Sequence, residues 1–236
     1  MVDATSTSAV GEGPGMSISL GAVRHGSTTD AVTNALREAI LDGRLPPSSW
    51  LREDELSKQL NVSRTPVREA LRRLTDEQLT VREAHRGTVV APMGIDDVLA
   101  VYMVRESLEG MAARMATRRR PAGLVEELTG IHHDMERAAE TRDIATLVRL
   151  NLEFHRAMRA ASGNPYLARF LVQVENAVRR FGVSTFEDES RTDALLDEHR
   201  AIIQAVVAGD ADLAETRAAE HVRAARDTRI HAILGE

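Results

Sequence analysis

The sequence predicts a mainly α-helical protein in two parts: a small N-terminal unit of three helices and a hairpin, followed by an all-α helical bundle. Three observations predict it. Ala, Leu, Val and Arg are abundant while aromatic residues make up only 3%, a composition suited to packed helices rather than to a sandwich or barrel. Apolar residues recur at helical spacing along most of the chain. Near Pro92 to Gly94 the texture changes from short elements separated by turn residues to long alanine-rich amphipathic stretches.

At 236 residues, 43% of them hydrophobic, the chain is long enough to bury a core in each of two domains. There is no cysteine, so disulfides and thiolate metal sites are excluded, and any metal must use His, Asp, Glu, Asn or water. No apolar run approaches the roughly 18 to 20 residues that span a bilayer, which predicts a cytoplasmic protein with no membrane partner. The net charge of −6 argues against nucleic-acid binding by the whole surface but leaves room for a local basic face.

Taken in order, residues 1–27 are rich in Ser, Thr, Gly and Ala without periodicity and predict a flexible tail. Val32, Leu36 and Ile40 recur every fourth residue and predict a first helix over Asp30 to Leu41, stopped at Gly43. Pro46 and Pro47 then force a turn. Three acids open "REDELSKQL", a short second helix with Leu56 and Leu60 on one face. After the break at "NVS", Ser63 is placed as an N-cap, Val62 and Val67 as a hydrophobic staple, and Pro66 in the first turn. The third helix should run through Leu74 and fray near Gln78. Two β-prone runs, Leu79 to Arg82 and Thr88 to Ala91, predict a hairpin around Gly87. Six helices follow, over Ile95 to Arg118, Ala122 to Thr141, Asp143 to Ala161, Pro165 to Phe181, Thr192 to Ala208 and Asp210 to Leu234. The domains are therefore 28–92 and 93–236.

The N-terminal order is that of a winged helix-turn-helix, whose third helix enters the DNA major groove. Residues 28–92 hold ten Arg or Lys and ten Asp or Glu, yet the signs are segregated: the third helix carries four Arg against one Glu, and "EDE" opens the second. Arg64, Arg68 and Arg72 share one helical face, while Val67, Leu71 and Leu74 share another. One face packs and the other projects guanidinium groups toward base edges and phosphates. The competing interpretation is a solvated charged face with the arginines paired to Glu69, Asp76 or Glu77.

In the C-terminal part, Asn151 and His155 lie four residues apart on one helix, and His199 and His221 lie on two later ones. His199 sits about nine residues before the last turn and His221 about eleven after it, so the two can meet at similar depth. Three imidazoles and one oxygen could close around a divalent ion; scattered histidines are otherwise surface or satisfied core residues. His132 and His133 diverge from one helix and, with acidic neighbours, predict surface positions.

Leu36 to Ala91, with "LREDEL", "VSRTPVREALRRL" and "RG" before a short strand, closely resembles the DNA-binding domain of GntR-family bacterial transcription regulators. Ser48 and Trp50 depart from that family's pattern, standing where glycine and a polar residue are usual. The resemblance implies that Ser63, Arg64, Thr65, Arg68 and Gly87 contact DNA; charge and position add Arg72 and Arg86, and place His85 near the duplex. "R..LE" at Arg105 to Glu109, "FH" at Phe154 and His155, "SGNPYL", "EH" at Glu198 and His199 and the final "EHV" are similar to the effector-binding domain of the FadR subfamily, the FCD domain. That similarity implies a divalent metal such as Zn, Ni or Mn on Asn151, His155, His199 and His221. Asn151 departs from the usual Asp and is a weaker donor. It also implies a small carboxylate effector paired with Arg105, against which stands a structural ion pair of Arg105 with Glu106 or Glu109.

The resulting expectation is a homodimeric, effector-responsive transcription regulator, most simply a repressor, on a palindromic double-stranded operator, with no catalysis. The rivals are a metal-dependent enzyme, disfavoured by the absence of "HExxH" and of a general base beside the histidines, and an effector-independent DNA-binding protein.

Overall fold

A computed structural model of the chain describes residues 28–84, 87–181 and 189–234. The contacts divide into two compact units, one ending at Pro92 and the other beginning at Met93. The expected tail over residues 1–27 lies outside the described residues.

The first unit runs α1 (Thr28–Leu41), α2 (Glu53–Gln59), α3 (Arg64–Asp76), β1 (Thr80–Glu83) and β2 (Gly87–Val90). The strands pair antiparallel, with Thr80 opposite Val90 and Glu83 opposite Gly87. Val32, Leu36 and Ile40 of α1, Leu56 of α2, and Val67, Ala70, Leu71 and Leu74 of α3 meet Leu45 and Val90 in one core. Each large side chain removed from water there contributes about 1.5–3 kcal/mol. Ser63 is the α3 N-cap residue, but its side chain makes no cap hydrogen bond. The staple geometry is present, with Val67 buried and Val62 packed against the same core.

Ser48 adopts the left-handed conformation, φ +63°, which costs an L-residue about 1–2 kcal/mol. Backbone pairing offsets it. Ser48 N–H donates to Val90 O at 3.0 Å, Val90 N–H to Ser49 O at 2.9 Å and Leu51 N–H to Thr88 O at 2.9 Å. Trp50 forms an antiparallel bridge with Val89, so the segment ahead of α2 lies along β2. The departure from glycine at position 48 thus leaves the turn geometry in place.

The second unit comprises α4 (Ile95–Arg119), α5 (Leu124–Glu140), α6 (Ile144–Ala161), α7 (Pro165–Arg179), α8 (Glu189–Ala208) and α9 (Ala211–Leu234). Side-chain caps set several starts. Asp143 accepts from Thr146 N–H at 3.0 Å, Asn164 from Tyr166 N–H at 3.0 Å and Leu167 N–H at 3.2 Å, and Asp210 from Leu213 N–H at 3.0 Å. α4 packs most extensively against α9, and α5 packs on both α6 and α8. Ala113, Ala116, Ala214 and Ala218 are small enough to let α4 and α9 approach, and Leu128, Phe154, Ile202 and Val206 fill the space beside them. Among the described residues no helix is long and apolar enough to cross a membrane.

The turn between α6 and α7 is held at Gly163, φ +68°, where an added Cβ would lie 2.0 Å from Nη1 of Arg119. The arginine tip can move aside, but the backbone conformation cannot change without displacing the α7 cap. Gly163→Ala is expected to destabilise the bundle by about 1–2 kcal/mol, read as a lower urea midpoint with an unchanged slope.

Candidate functional sites: a basic helix face and a buried histidine centre

α3 is amphipathic in the sense its spacing predicted. Val67, Ala70, Leu71 and Leu74 are buried, whereas Ser63, Arg64, Thr65, Arg68 and Arg72 are exposed. The side chains of Arg64, Arg68 and Arg72 retain 64%, 64% and 71% of their accessible surface, so the row projects outward. Its partners are not those anticipated. Arg72 does pair with Glu69 at 2.8 Å, but Arg64 pairs with Asp54 at 2.7 Å and Arg68 with Glu53 at 2.9 Å, both acids on α2. Glu77 binds Arg37 of α1 at 2.6 Å instead. Exposed pairs of this kind contribute at most about 1 kcal/mol. Gly87, φ +85°, is exposed at the start of β2 and permits close backbone approach. Beside it Arg52 lies over the Trp50 ring at 4.0 Å. Arg86 and His85 lie outside the described residues.

The second centre is assembled by α4, α6, α8 and α9. His155 (α6), His199 (α8) and His221 (α9) offer ligand atoms that all lie within 4.8 Å of one another. His199 and His221 are almost completely buried and His155 nearly so. The ring of His199 stacks on Phe154 at 4.0 Å between centroids and 8° between planes. Nδ1 of His155 faces Glu109 Oε2 at 2.8 Å, and Nδ1 of His221 faces Glu198 Oε2 at 2.7 Å. Each carboxylate is held in turn by an arginine. Arg105 Nε donates to Glu109 Oε1 at 3.0 Å, and Arg191 donates to both oxygens of Glu198 at 2.8 and 3.0 Å.

These contacts set the charge states. Burial opposes ionisation of Glu109, but His155 and Arg105 outweigh it and hold the carboxyl below the usual carboxylate range. Glu198 is likewise lowered against burial, by hydrogen bonds from His221 and Arg191. Burial, reinforced by the neighbouring imidazoles, pushes His199 far below the usual histidine range. Burial also brings His221 down to about 4 although Glu198 pulls the other way. At neutral pH His199 and His221 are therefore uncharged. With Nδ1–H committed to Glu198, neutral His221 turns a bare Nε2 lone pair toward Nε2 of His155, 3.3 Å away. Arg105 Nη2 lies 3.4 Å from the same His155 nitrogen.

Three polar atoms are left over. Both ring nitrogens of His199 and Oδ1 of Asn151 are buried without a hydrogen-bond partner, an arrangement that costs about 1–3 kcal/mol per group unless something else satisfies it. A divalent cation would satisfy the lone-pair nitrogen of His199. Nitrogens about 2.0–2.1 Å from a tetrahedral ion lie about 3.3 Å apart, the separation of the two Nε2 atoms. The donor set of three imidazoles and an amide oxygen fits Zn, Ni or Mn.

His155, His199 and His221 thus lie around one centre with Arg105 at its edge, and Asn151, one turn before His155 on α6, has its oxygen buried without a partner. Arg105 makes the structural ion pair with Glu109 that was the competing interpretation. Sequence reasoning did not identify Glu109, Glu198 and Arg191 as orienting groups. It also found no general base beside the histidines; two carboxylates, Glu109 and Glu198, do face them, each committed to an imidazole and an arginine. The i, i+4 spacing of Arg105 and Glu109 was the available signal for the first pair. His132 corrects the surface assignment: it is buried, with neither ring nitrogen hydrogen-bonded, while His133 is exposed. Packing of α5 against α8 covers it, which acidic neighbours in sequence did not reveal.

An outward guanidinium row on the third helix, a two-stranded wing and an appended helical domain define a DNA-binding protein of the winged helix-turn-helix class. Residues 28–90 match the gntR family of bacterial regulatory proteins, and residues 100–224 match the FCD domain. The chain belongs to the GntR family, in the branch that carries an FCD domain, and is a transcription regulator rather than an enzyme. It is 33% identical over 201 residues to the probable D-xylose utilization operon transcriptional repressor of Paenarthrobacter nicotinovorans, covering 84% of this chain and 88% of that protein. It is 26% identical over 188 residues to the repressor RspR of Escherichia coli K12, covering 80% and 82%. Among solved structures it resembles E. coli McbR/YncC with a TM-score of 0.73 at 23% identity, covering 89% of this chain and all of that one. A GntR regulator from Rhodococcus sp. RHA1 follows with 0.69 at 21%, covering 88% and 99%. At such identities the two structures show a shared fold.

Replacing Glu198 by Ala would strip the nearly buried Arg191 of its bidentate partner and release His221. Because Glu198 is partly exposed, the expected destabilisation is about 2 kcal/mol, below the full loss for a wholly buried pair, measured by thermal or urea unfolding.

Proposed function

We propose that the chain is a cytoplasmic repressor that binds a palindromic operator as a homodimer and leaves it when a small carboxylate enters the buried histidine centre. The observation that carries the sensing half is His199: a neutral, wholly buried imidazole, fixed by Phe154, with both nitrogens unsatisfied. His155, His199, His221 and Asn151 would hold a divalent ion, which when bound supplies a Lewis-acidic position open to an anion. Glu109 and Glu198 fix the tautomers that leave Nε2 free. Arg105, at the edge of the same centre, is placed to pair with the ligand's carboxylate through Nη2.

On the DNA side Arg64, Thr65, Arg68 and Arg72 face outward for base edges and phosphates, Ser63 and the first-turn amides of α3 suit a phosphate, and Gly87 with Arg86 forms the wing contact. A single unit reads few base pairs, so two copies on a two-fold operator supply the specificity. Exposed Leu99, Met103 and Met111 on α4 and Tyr166 and Phe170 on α7 provide apolar surface for the second copy. Effector binding shifts the population of DNA-competent dimers by its differential affinity for the two states. The names of the two repressors to which the chain is similar support the sign of regulation.

Two measurements test this. Arg68→Ala is expected to weaken binding to a duplex selected by the wild-type protein by about 1–3 kcal/mol while the bundle keeps its unfolding temperature; undiminished binding removes Arg68 from the interface. His199→Ala combined with His221→Ala is expected to abolish bound metal in purified protein, read by elemental analysis. It should also abolish the thermal shift that Zn, Ni or Mn with hydroxy acids or sugar acids gives the wild type. A double variant with wild-type metal content rejects this ligand set.

A further inference from the structure

The acids that pair with the basic row hold its arginines in a particular way. Arg68 uses Nε (3.1 and 3.2 Å) and Nη2 (2.9 Å) to grip the carboxylate of Glu53. A guanidinium has two edges able to make paired hydrogen bonds, Nε with Nη2 and Nη1 with Nη2. Glu53 occupies the first. No hydrogen bond engages Nη1 among the described residues, so the second edge faces outward on a side chain that is 64% exposed. That edge is the one that can reach guanine O6 and N7 end-on.

Glu53 is a firmer anchor than Arg68. It is the first residue of α2, whose position is set by Leu56 and Leu60 in the core, and its side chain is only 31% exposed. Tethering a long arginine to such a point removes rotamer freedom before any base is met. The same carboxylate repels phosphate. A phosphate contact by Arg68 must work against Glu53, whereas a guanine contact through the free edge leaves the pair intact. Asp54 pairs with Nε of Arg64 at 2.7 Å.

We propose that Glu53 is a positioning and specificity-determining residue, which clamps the Nε edge of Arg68 so that its outer edge reads guanine while its charge discourages sequence-independent phosphate binding. The inference rests on α3 being the groove-reading helix.

The test uses the full-length protein and a duplex selected by it from a random-sequence library. Single-base variants of that duplex and an unrelated duplex of equal length are titrated alongside it over a range of salt concentrations. Arg68→Ala first identifies the base pairs that Arg68 reads. At those positions Glu53→Ala and the milder Glu53→Gln are expected to reduce discrimination by about five- to tenfold and to leave it unchanged elsewhere. Both should bind the unrelated duplex more tightly, with a steeper dependence of log K on log salt, by up to about one unit of slope. A merely structural role for Glu53 would weaken all duplexes together. Such uniform weakening, or wild-type discrimination at the Arg68 positions in both variants, overturns the inference while leaving the DNA-reading face standing. If Arg68→Ala is itself without effect, the reading of α3 fails and this inference falls with it.

Discussion

Three imidazoles buried at one point impose the constraint around which the second unit is built. A polar ring withdrawn from water must be neutral, partnered or both, and each element of the bundle answers part of that demand. Phe154 on α6 covers the face of His199. Glu109 on α4 and Glu198 on α8 take the Nδ1 protons of His155 and His221. Arg105 and Arg191 neutralise those carboxylates. The result is two short relays, arginine to carboxylate to imidazole, running inward from opposite sides to a pair of nitrogens 3.3 Å apart. His199 completes the triangle with no partner of its own. In a low-dielectric interior a partly satisfied network is costly, and the packing that stabilises the bundle leaves that cost at His199.

The first unit solves a different problem, that of carrying concentrated positive charge on a protein whose net charge is negative. Burial of Val67, Ala70, Leu71 and Leu74 fixes the rotation of α3, and the arginine row then has nowhere to point but outward. Acids from α2 restrain that row without burying it. Exposed ion pairs add little to stability, so their consequence is orientational and electrostatic. The wing is tied to the segment ahead of α2 through Ser48, Ser49 and Leu51. The helix that reads and the loop that supports it therefore share one rigid frame.

Much of the architecture was legible because it depends on period and punctuation. The i, i+4 recurrence of Val32, Leu36 and Ile40 and the tandem prolines act over a few residues. The helices fall within three residues of where spacing places them, and the strands within one. The opposed faces of α3 were legible for the same reason. Partners were harder. Glu53 and Asp54 read as ordinary helix-start acids, and nothing local says that the arginines ten to fifteen residues on will fold back against them. Ser63 was placed correctly as a cap residue, but its predicted side-chain bond does not form. His132 looked solvated beside acidic neighbours because burial by α8 is a property of packing, not of spacing.

By itself the sequence determined the helices, their apolar faces, the division near Pro92 and the outward guanidinium row, since each follows from periodicity, backbone geometry and the sign of charge along a short segment. Only the tertiary structure decided which carboxylate meets which imidazole, that Nδ1 of His155 and of His221 each face a carboxylate, and that Arg68 keeps one edge free. Those facts depend on distances between residues far apart in the chain, and such distances exist only once α4, α6, α8 and α9, or α2 and α3, are packed together.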